Sequence, residues 1–131
     1  MAQILLITIQ ENIMSDDRTM IEKTVQFYID GAKSGKGSDM KPAFHPDATI
    51  FGYIGDDLFG GPIQNLFEWH DGNGAATELD ANIVAIDIVG TVATVRLELD
   101  NWTGHKFTDL FTLLKFEGTW KIMNKVFYLH P

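Results

Sequence analysis

Four strand-length segments fill the second half of the chain, and they constrain its fold more than any other feature. Apolar and polar residues alternate through residues 79–89, 92–102, 106–116 and 119–129, with short glycine-containing turns between them. Alternation with a period of two is typical of strands that bury one face, and turns this short join neighbouring antiparallel strands. The pattern therefore predicts a four-stranded antiparallel meander.

The first half of the chain predicts three helices. Ser15 is expected to cap the first, which places Ile21, Val25, Tyr28 and Ala32 on one face and ends near Gly35. The second is short and spans about 38–45, the third opens at Gly61-Pro62 and ends within 72–74, and strands at 48–54 and 58–59 lie between them. Helices followed by a meander predict an α+β fold with the helices packed on one face of an antiparallel sheet.

Length and charge limit the classes of protein that fit. A chain of 131 residues is expected to form one domain at 15–131, preceded by an N-terminal extension at 1–14. The net charge of −8 argues against nucleic acid as a partner, and no segment is apolar for long enough to cross a membrane. The absence of cysteine excludes disulfides and thiolate chemistry, and it suits a cytoplasmic protein.

Asp109 interrupts the apolar row of its strand, where the neighbours on the same face are Phe107, Phe111 and Leu113. A carboxylate in such a row leaves water, which costs several kcal/mol, about 2–7 for a neutral polar group and more for a charge, unless it is paired or protonated. Asp109 therefore either is a paired structural group or marks a cavity where a ligand binds or a proton moves.

Regular register through the turns predicts which residues share the buried face. An apolar wall is expected, with polar exceptions at one end of the sheet, and a cavity with a polar rim is a typical ligand site. The wall comprises Val84, Ile86, Ile88, Ala93, Val95, Leu97, Leu99, Phe107, Phe111, Leu113, Trp120, Ile122 and Val126, and the exceptions are Asn82, Asn101, Asp109, Asn124 and Tyr128.

The opposite face of the predicted sheet is too apolar for free exposure to solvent, which indicates a homodimer through that face. It comprises Arg96, Glu98, Thr108, Leu110, Thr112, Leu114, Met123, Lys125 and Phe127.

Five short segments carry a resemblance to a known superfamily: 27–31 (FYIDG), 44–48 (FHPDA), 101–105 (NWTGH), 107–109 (FTD), and 118–127 (GTWKIMNKVF). Together they resemble the nuclear transport factor 2-like superfamily, in particular its putative lumazine-binding branch, over residues 15–131. The resemblance implies a cystatin-like cone, a curved sheet wrapped around three helices, commonly homodimeric through its convex face. The superfamily includes ketosteroid isomerases, scytalone dehydratase, polyketide cyclases and non-catalytic members, and the chain matches the full catalytic set of none of these enzymes.

Three residues are candidates for catalysis: Asp109 as a general base, and His105 or Tyr53 as an acid. Each has a structural alternative, since a buried carboxylate can be held by hydrogen bonds, a turn histidine can be solvated and a tyrosine can lie at the rim of a core. The full candidate pocket comprises His45, Tyr53, Trp69, His70, Asn82, Leu99, Asn101, Phe107, Asp109, Phe111, Asn124 and Tyr128.

No metal or cofactor site is predicted, because the four histidines are isolated and no phosphate-binding motif is present. The sequence favours a protein that binds a small apolar or aromatic molecule. The alternatives are an isomerase, dehydratase or cyclase that uses Asp109 as its base, and a non-catalytic dimerising domain.

Overall fold

A computed structural model gives the backbone of residues 2–131 and the side chains of residues 16–131. The elements in chain order are α1 (Ala2–Ser34), α2 (Gly37–Met40), a single 3-10 turn (Lys41–Ala43), β1 (Phe44–Ile54), β2 (Asp57–Pro62), α3 (Gln64–Asn73), β3 (Asp80–Val89), β4 (Val92–Trp102), β5 (His105–Phe116) and β6 (Thr119–Leu129).

Helix α1 is longer than predicted. It continues through Ser15 without a break, so the prediction that Ser15 caps a helix is wrong. No glycine or proline lies between Ala2 and Ser15, so nothing in the backbone interrupts the helix there. The side chains of residues 1–15 lie outside the described part, and the division into an extension at 1–14 and a domain at 15–131 stays a prediction.

The strands form one curved, open six-stranded sheet in the order β2-β1-β6-β5-β4-β3. The predicted meander β3-β4-β5-β6 is confirmed, and β1 adds to its β6 edge. The β1–β6 pair is parallel, so the prediction of an entirely antiparallel sheet is wrong at this one pair. The whole is an α+β cone with the helices packed on one face of the sheet.

The core lies between α1 and the inner face of the sheet. The predicted helical face is confirmed, since Ile21, Val25, Tyr28 and Ala32 are all fully buried. Opposite them most predicted inner residues of β4 and β5 are buried, including Leu97, and Phe107 is half-buried. A polar residue aimed inward from these strands is therefore surrounded by apolar side chains.

Three β-bulges change which side chains of β3, β4 and β6 face the core. In β3 the register shifts between Ile83 and Ala85, so Val84 is extra and turns outward. In β4 it shifts between Leu99 and Trp102, and in β6 Met123 is the extra residue opposite Thr112 and Leu113. Because side chains alternate with a period of two, one extra residue moves every later side chain to the other face.

The bulges overturn the predicted polar cluster around Asp109. Asn82 and Asn101 are exposed, and Asn124 is half-buried and donates from Nδ2 to Thr49 Oγ1 at 2.9 Å. Val126 and Tyr128 likewise face outward, whereas the sequence pattern predicted them inward. Conversely, Lys125 and Phe127, which were predicted on the outer face, are buried on the inner face.

Candidate functional site: a buried lysine in an apolar pocket

An apolar pocket opens between α3 and the β1-β6 side of the sheet. The space open to the centre of a water-sized sphere is about 40 Å³, in a depression with about 390 Å³ of empty space that includes open solvent. At roughly 10–15 Å³ for each water centre, this space holds about three waters, which suits a small apolar group. The pocket is lined by Ile50, Ile54, Phe59, Leu66, Trp69, Trp102, Phe107, Lys125 and Phe127.

Lys125 is the charged residue of this lining, and it is 4% exposed. Its Nζ lies 4.7 Å from the ring centroid of Tyr28, 5.4 Å from that of Phe127 and 5.7 Å from that of Trp102. Aromatic faces attract a cation at these distances, more strongly where water is excluded. The ammonium therefore lies among aromatic rings, two of which, those of Trp102 and Phe127, also line the pocket.

A hydrogen-bonded chain connects Lys125 to Asp109. Lys125 Nζ donates to the Tyr28 hydroxyl oxygen at 2.6 Å, and that hydroxyl donates to Asp109 Oδ2 at 2.6 Å. The ammonium and Asp109 Oδ2 are also 3.6 Å apart. The chain runs from the pocket wall into the core, with Asp109 at its buried end.

Burial favours the neutral forms of the three hydrogen-bonded side chains Lys125, Tyr28 and Asp109. It raises the pKa of Asp109 against the opposing effect of Lys125, and it lowers the pKa of Lys125 against the opposing effect of Asp109. Burial, reinforced by the Asp109 charge, raises the pKa of Tyr28 far above its ordinary value. Asp109 Oδ1 has no hydrogen-bond partner among the described residues, which adds to the cost of the ionised form.

His70 adds a second buried polar group beside the pocket. It is fully buried on α3, stacks on Trp102 with centroids 5.1 Å apart, and meets Trp69 edge to face. Neither ring nitrogen has a partner among the described residues. Burial, helped by the nearby Lys125 charge, lowers the pKa of His70 to about 4, so the ring is neutral at pH 7.

The pocket includes some of the residues predicted from the sequence. Trp69 and Phe107 line it. Leu99, His70, Asp109 and Phe111 are buried in the core and are not among its lining residues.

Other predicted site residues lie elsewhere. Tyr53 is 62% exposed and His105 lies exposed at the β4–β5 turn, so neither is among the lining residues. Tyr128 is on the outer face with Tyr53. His45 lies at the start of β1, where its Nδ1 accepts from the Asp47 backbone N–H at 3.0 Å and its ring stacks on Phe116.

Sequence reasoning missed Lys125 and Tyr28 as site residues. The Met123 bulge, which brings Lys125 inward, has no sequence signal such as a glycine or proline. Tyr28 did have a signal, since a tyrosine on the buried face of a helix needs a partner for its hydroxyl. Asp109 in the facing strand was the available acceptor.

Comparison with known proteins places the chain in a family. Residues 16–128 match the family described as putative lumazine-binding. The chain belongs to this family. Its members fall within the NTF2-like superfamily, so the predicted relationship is confirmed.

Relatives of this family member include both solved structures and a named enzyme. An NTF2-like protein of unknown function from Methylobacillus flagellatus is 54% identical, with a TM-score of 0.87 over 88% of this chain and 94% of that one. One from Shewanella baltica is 41% identical, with a TM-score of 0.85 over 89% and 96%. Aldolase FrzH from a Cladobotryum species is 30% identical over 122 residues, which are 92% of this chain and 98% of the enzyme.

Neither a metal-binding cluster nor a membrane-spanning helix is present in the described part of the chain. Among the described side chains, no group of three potential ligands is placed to hold a metal ion. Within the described part of the chain, no helix is long and apolar enough to cross a membrane.

Proposed function

We propose that this protein binds a small, largely apolar molecule that carries a carbonyl oxygen. The observation that carries the proposal is Lys125, a buried cation in a pocket wall whose other eight lining residues are apolar. An apolar pocket with few, well-placed polar groups is the usual form of a small-molecule site. A pocket of this size suits one aromatic ring or a comparable group, with the remainder of a larger ligand in the open part of the depression.

The charge of Lys125 selects the polar atom of the ligand. An ammonium has three N–H donors and no acceptor, and one of the three is directed at the Tyr28 hydroxyl. A ligand oxygen that accepts a further N–H bond forms a charge-assisted contact, worth about 1.5–3 kcal/mol. An apolar molecule without an acceptor fills the same space but gains none of this energy.

Matched ligands test the proposal. Acetophenone and ethylbenzene have similar shapes and differ in the carbonyl oxygen, and isothermal titration calorimetry measures the affinity of the protein for each. We expect acetophenone to bind about tenfold to a hundredfold more tightly than ethylbenzene, the equivalent of about 1.5–3 kcal/mol. Lys125→Met should remove this preference, and Lys106→Met, at an exposed lysine, should keep it.

Equal binding of acetophenone and ethylbenzene by the unmodified protein would contradict the proposal. That comparison uses the native chain, so it holds even if Lys125→Met folds poorly.

An enzyme that acts on a carbon acid is the second candidate. It is supported by the similarity to aldolase FrzH and by the Lys125–Tyr28–Asp109 chain, in which Asp109 would act as a base through Tyr28 rather than directly. NMR of acetophenone with the protein in D₂O tests this candidate function. Exchange of the ketone methyl protons should be faster with the protein than without it and slower with Asp109→Asn, and equal rates would argue against catalysis.

We also propose that the protein is a homodimer through the outer face of its sheet. Strand pairing brings exposed apolar side chains of four strands together there as one outer patch. The outer patch comprises Phe51, Tyr53, Leu58, Leu110, Val126 and Tyr128. A second copy is the favoured occupant because a patch without charged members faces no repulsion from itself, although each chain carries a net charge of −8.

A further inference from the structure

The pocket contains an amine whose nucleophilic capacity simple ligand binding does not use. Lysines in apolar surroundings have a lowered pKa and can attack carbonyl carbons as the free amine. Lys125 has such surroundings and lines a pocket open to a ligand. The other lysines with partners differ, since Lys106 pairs with Asp100 at an exposed site, Lys115 binds Asp17 and Lys121 donates to the Pro42 carbonyl oxygen.

We propose that Lys125 forms a Schiff base with the carbonyl carbon of an aldehyde or ketone bound in the pocket, with Tyr28 and Asp109 accepting and returning the protons. This inference rests on the proposed function, because the Schiff base forms from the carbonyl molecule that is proposed to bind beside Lys125.

The hydrogen-bonded chain supplies the route for the first proton. As Lys125 gives a proton to the Tyr28 oxygen, Tyr28 gives its own proton to Asp109 Oδ2. The ion pair thereby becomes a neutral amine and a neutral carboxylic acid, with Tyr28 restored. Burial favours this neutral pair, as the raised pKa of Asp109 and the lowered pKa of Lys125 indicate.

The remaining steps use only the bound carbonyl molecule and the same three residues. The amine lone pair forms the C–N bond while the carbonyl π electrons move to oxygen, and a proton shift from nitrogen to oxygen gives a neutral carbinolamine. The proton held on Asp109 then returns through Tyr28 to that hydroxyl, the C–O bond breaks and water leaves. The products are a protonated imine, an ionised Asp109 and one water, so no outside reactant is needed.

The pocket also suits the product. The protonated imine carries its positive charge at the nitrogen where the ammonium carried it, between the rings of Tyr28, Trp102 and Phe127. The carboxylate that balanced the ammonium at 3.6 Å balances the imine in the same way. The exchange of one cation for another therefore demands no new desolvation of charge.

Reductive trapping tests the inference. Benzaldehyde and sodium cyanoborohydride at neutral pH should convert the imine into a stable benzylamine adduct, which peptide mass spectrometry locates. In the native chain we expect Lys125 to be labelled at least tenfold faster than the exposed Lys106. Lys125→Met should lose this fast adduct, and Lys106→Met should keep it.

Tyr28→Phe tests the proton route separately, because it removes the hydroxyl and keeps the ring. We expect labelling of Lys125 to slow at least tenfold while acetophenone still binds the protein. Unchanged labelling in Tyr28→Phe would overturn the relay.

Two outcomes distinguish failure of the Schiff-base proposal from failure of the proposed binding function. Acetophenone binding with labelling confined to surface lysines would overturn the Schiff base and leave the binding function standing. If the native chain neither binds acetophenone nor is labelled at Lys125, both proposals are overturned.

Discussion

Asp109 and Lys125 depend on each other because, when both are ionised, each charge is removed from water. Asp109 is fully buried and Lys125 nearly so, and they lie 3.6 Å apart on either side of the Tyr28 hydroxyl. Removing one partner of such a pair leaves the other charge unbalanced, at a typical cost of about 3–5 kcal/mol. The proposed binding of a carbonyl oxygen and the proposed Schiff base both depend on this pair.

His70 gives a prediction about pH. Its folded-state pKa of about 4 lies below the ordinary value of 6.5, so the unfolded chain binds this proton more readily than the folded one. Stability from His70 is therefore complete above pH 6.5 and is lost as the pH falls towards 4. The shift corresponds to roughly 3 kcal/mol at 1.36 kcal/mol for each unit.

Denaturant unfolding at pH 7 and pH 4 measures this loss. Because carboxylates also titrate in this range, the comparison is with His70→Phe, which keeps an aromatic ring against Trp102 but cannot be protonated. We expect His70→Phe to lose roughly 3 kcal/mol less than the native chain between the two pH values. His105→Gln, at an exposed turn, should match the native chain, and a native-like loss in His70→Phe would refute the assignment.

At the scale of elements, bulges determine the site. Two regular strands would have placed Lys125 outside and Asn124 inside, which is the arrangement that simple alternation predicts. The extra residue Met123 reverses this, and it brings a lysine rather than an asparagine to the inner face beside Asp109. A one-residue change in register thus decides whether the buried carboxylate meets an amide or an amine.

The contact between α1 and α2 gives a second prediction. A Cβ added at Gly31 would lie 2.5 Å from Met40 Cβ and 2.7 Å from the Met40 backbone, whereas one added at Gly72 in α3 meets nothing within 4 Å. We expect Gly31→Ala to destabilise the fold by about 1–3 kcal/mol, the usual cost of overpacking. Gly72→Ala should instead stabilise it by about 0.5–1 kcal/mol, through helix propensity.

Thermal and denaturant unfolding of the two alanine variants provide the test. Equal effects of the two substitutions would mean that α2 does not pack closely on α1 at Gly31.

At the scale of the whole molecule, the outer patch predicts the state of association. Leu110 is 54% exposed within the patch, and Val89 is 68% exposed outside it, near the β3–β4 turn. We expect the native chain to sediment at twice its mass of 14.7 kDa. Leu110→Asp should shift the equilibrium to monomer, since it places a like charge in both halves of the interface, and Val89→Asp should not.

Sedimentation velocity over a range of concentrations measures the effect. A native chain that stays monomeric at all concentrations would exclude the proposed dimer. A dimer that Leu110→Asp leaves intact would place the interface on another surface.

The sequence alone determined the α+β class, the β3-β4-β5-β6 meander, the buried face of α1 and the burial of Asp109. Each of these follows from the periodicity of apolar residues, which is a local property of the chain. The turn after β4 shows the limit of such reasoning. Regular alternation predicts Asn101 on the buried face with Leu99, and the structure instead has a bulge near Asn101, whose φ is +58°, that turns Trp102 inward.

The tertiary structure alone decided the partner of Asp109. A bulge forms where the packing of neighbouring strands favours it, and residues 122–125 contain no glycine or proline to indicate one. Tyr28 and Lys125 are 97 residues apart in sequence, and their meeting depends on how α1 lies across the sheet. Local pattern therefore set which residues are buried, whereas register and long-range packing set which of the buried residues touch.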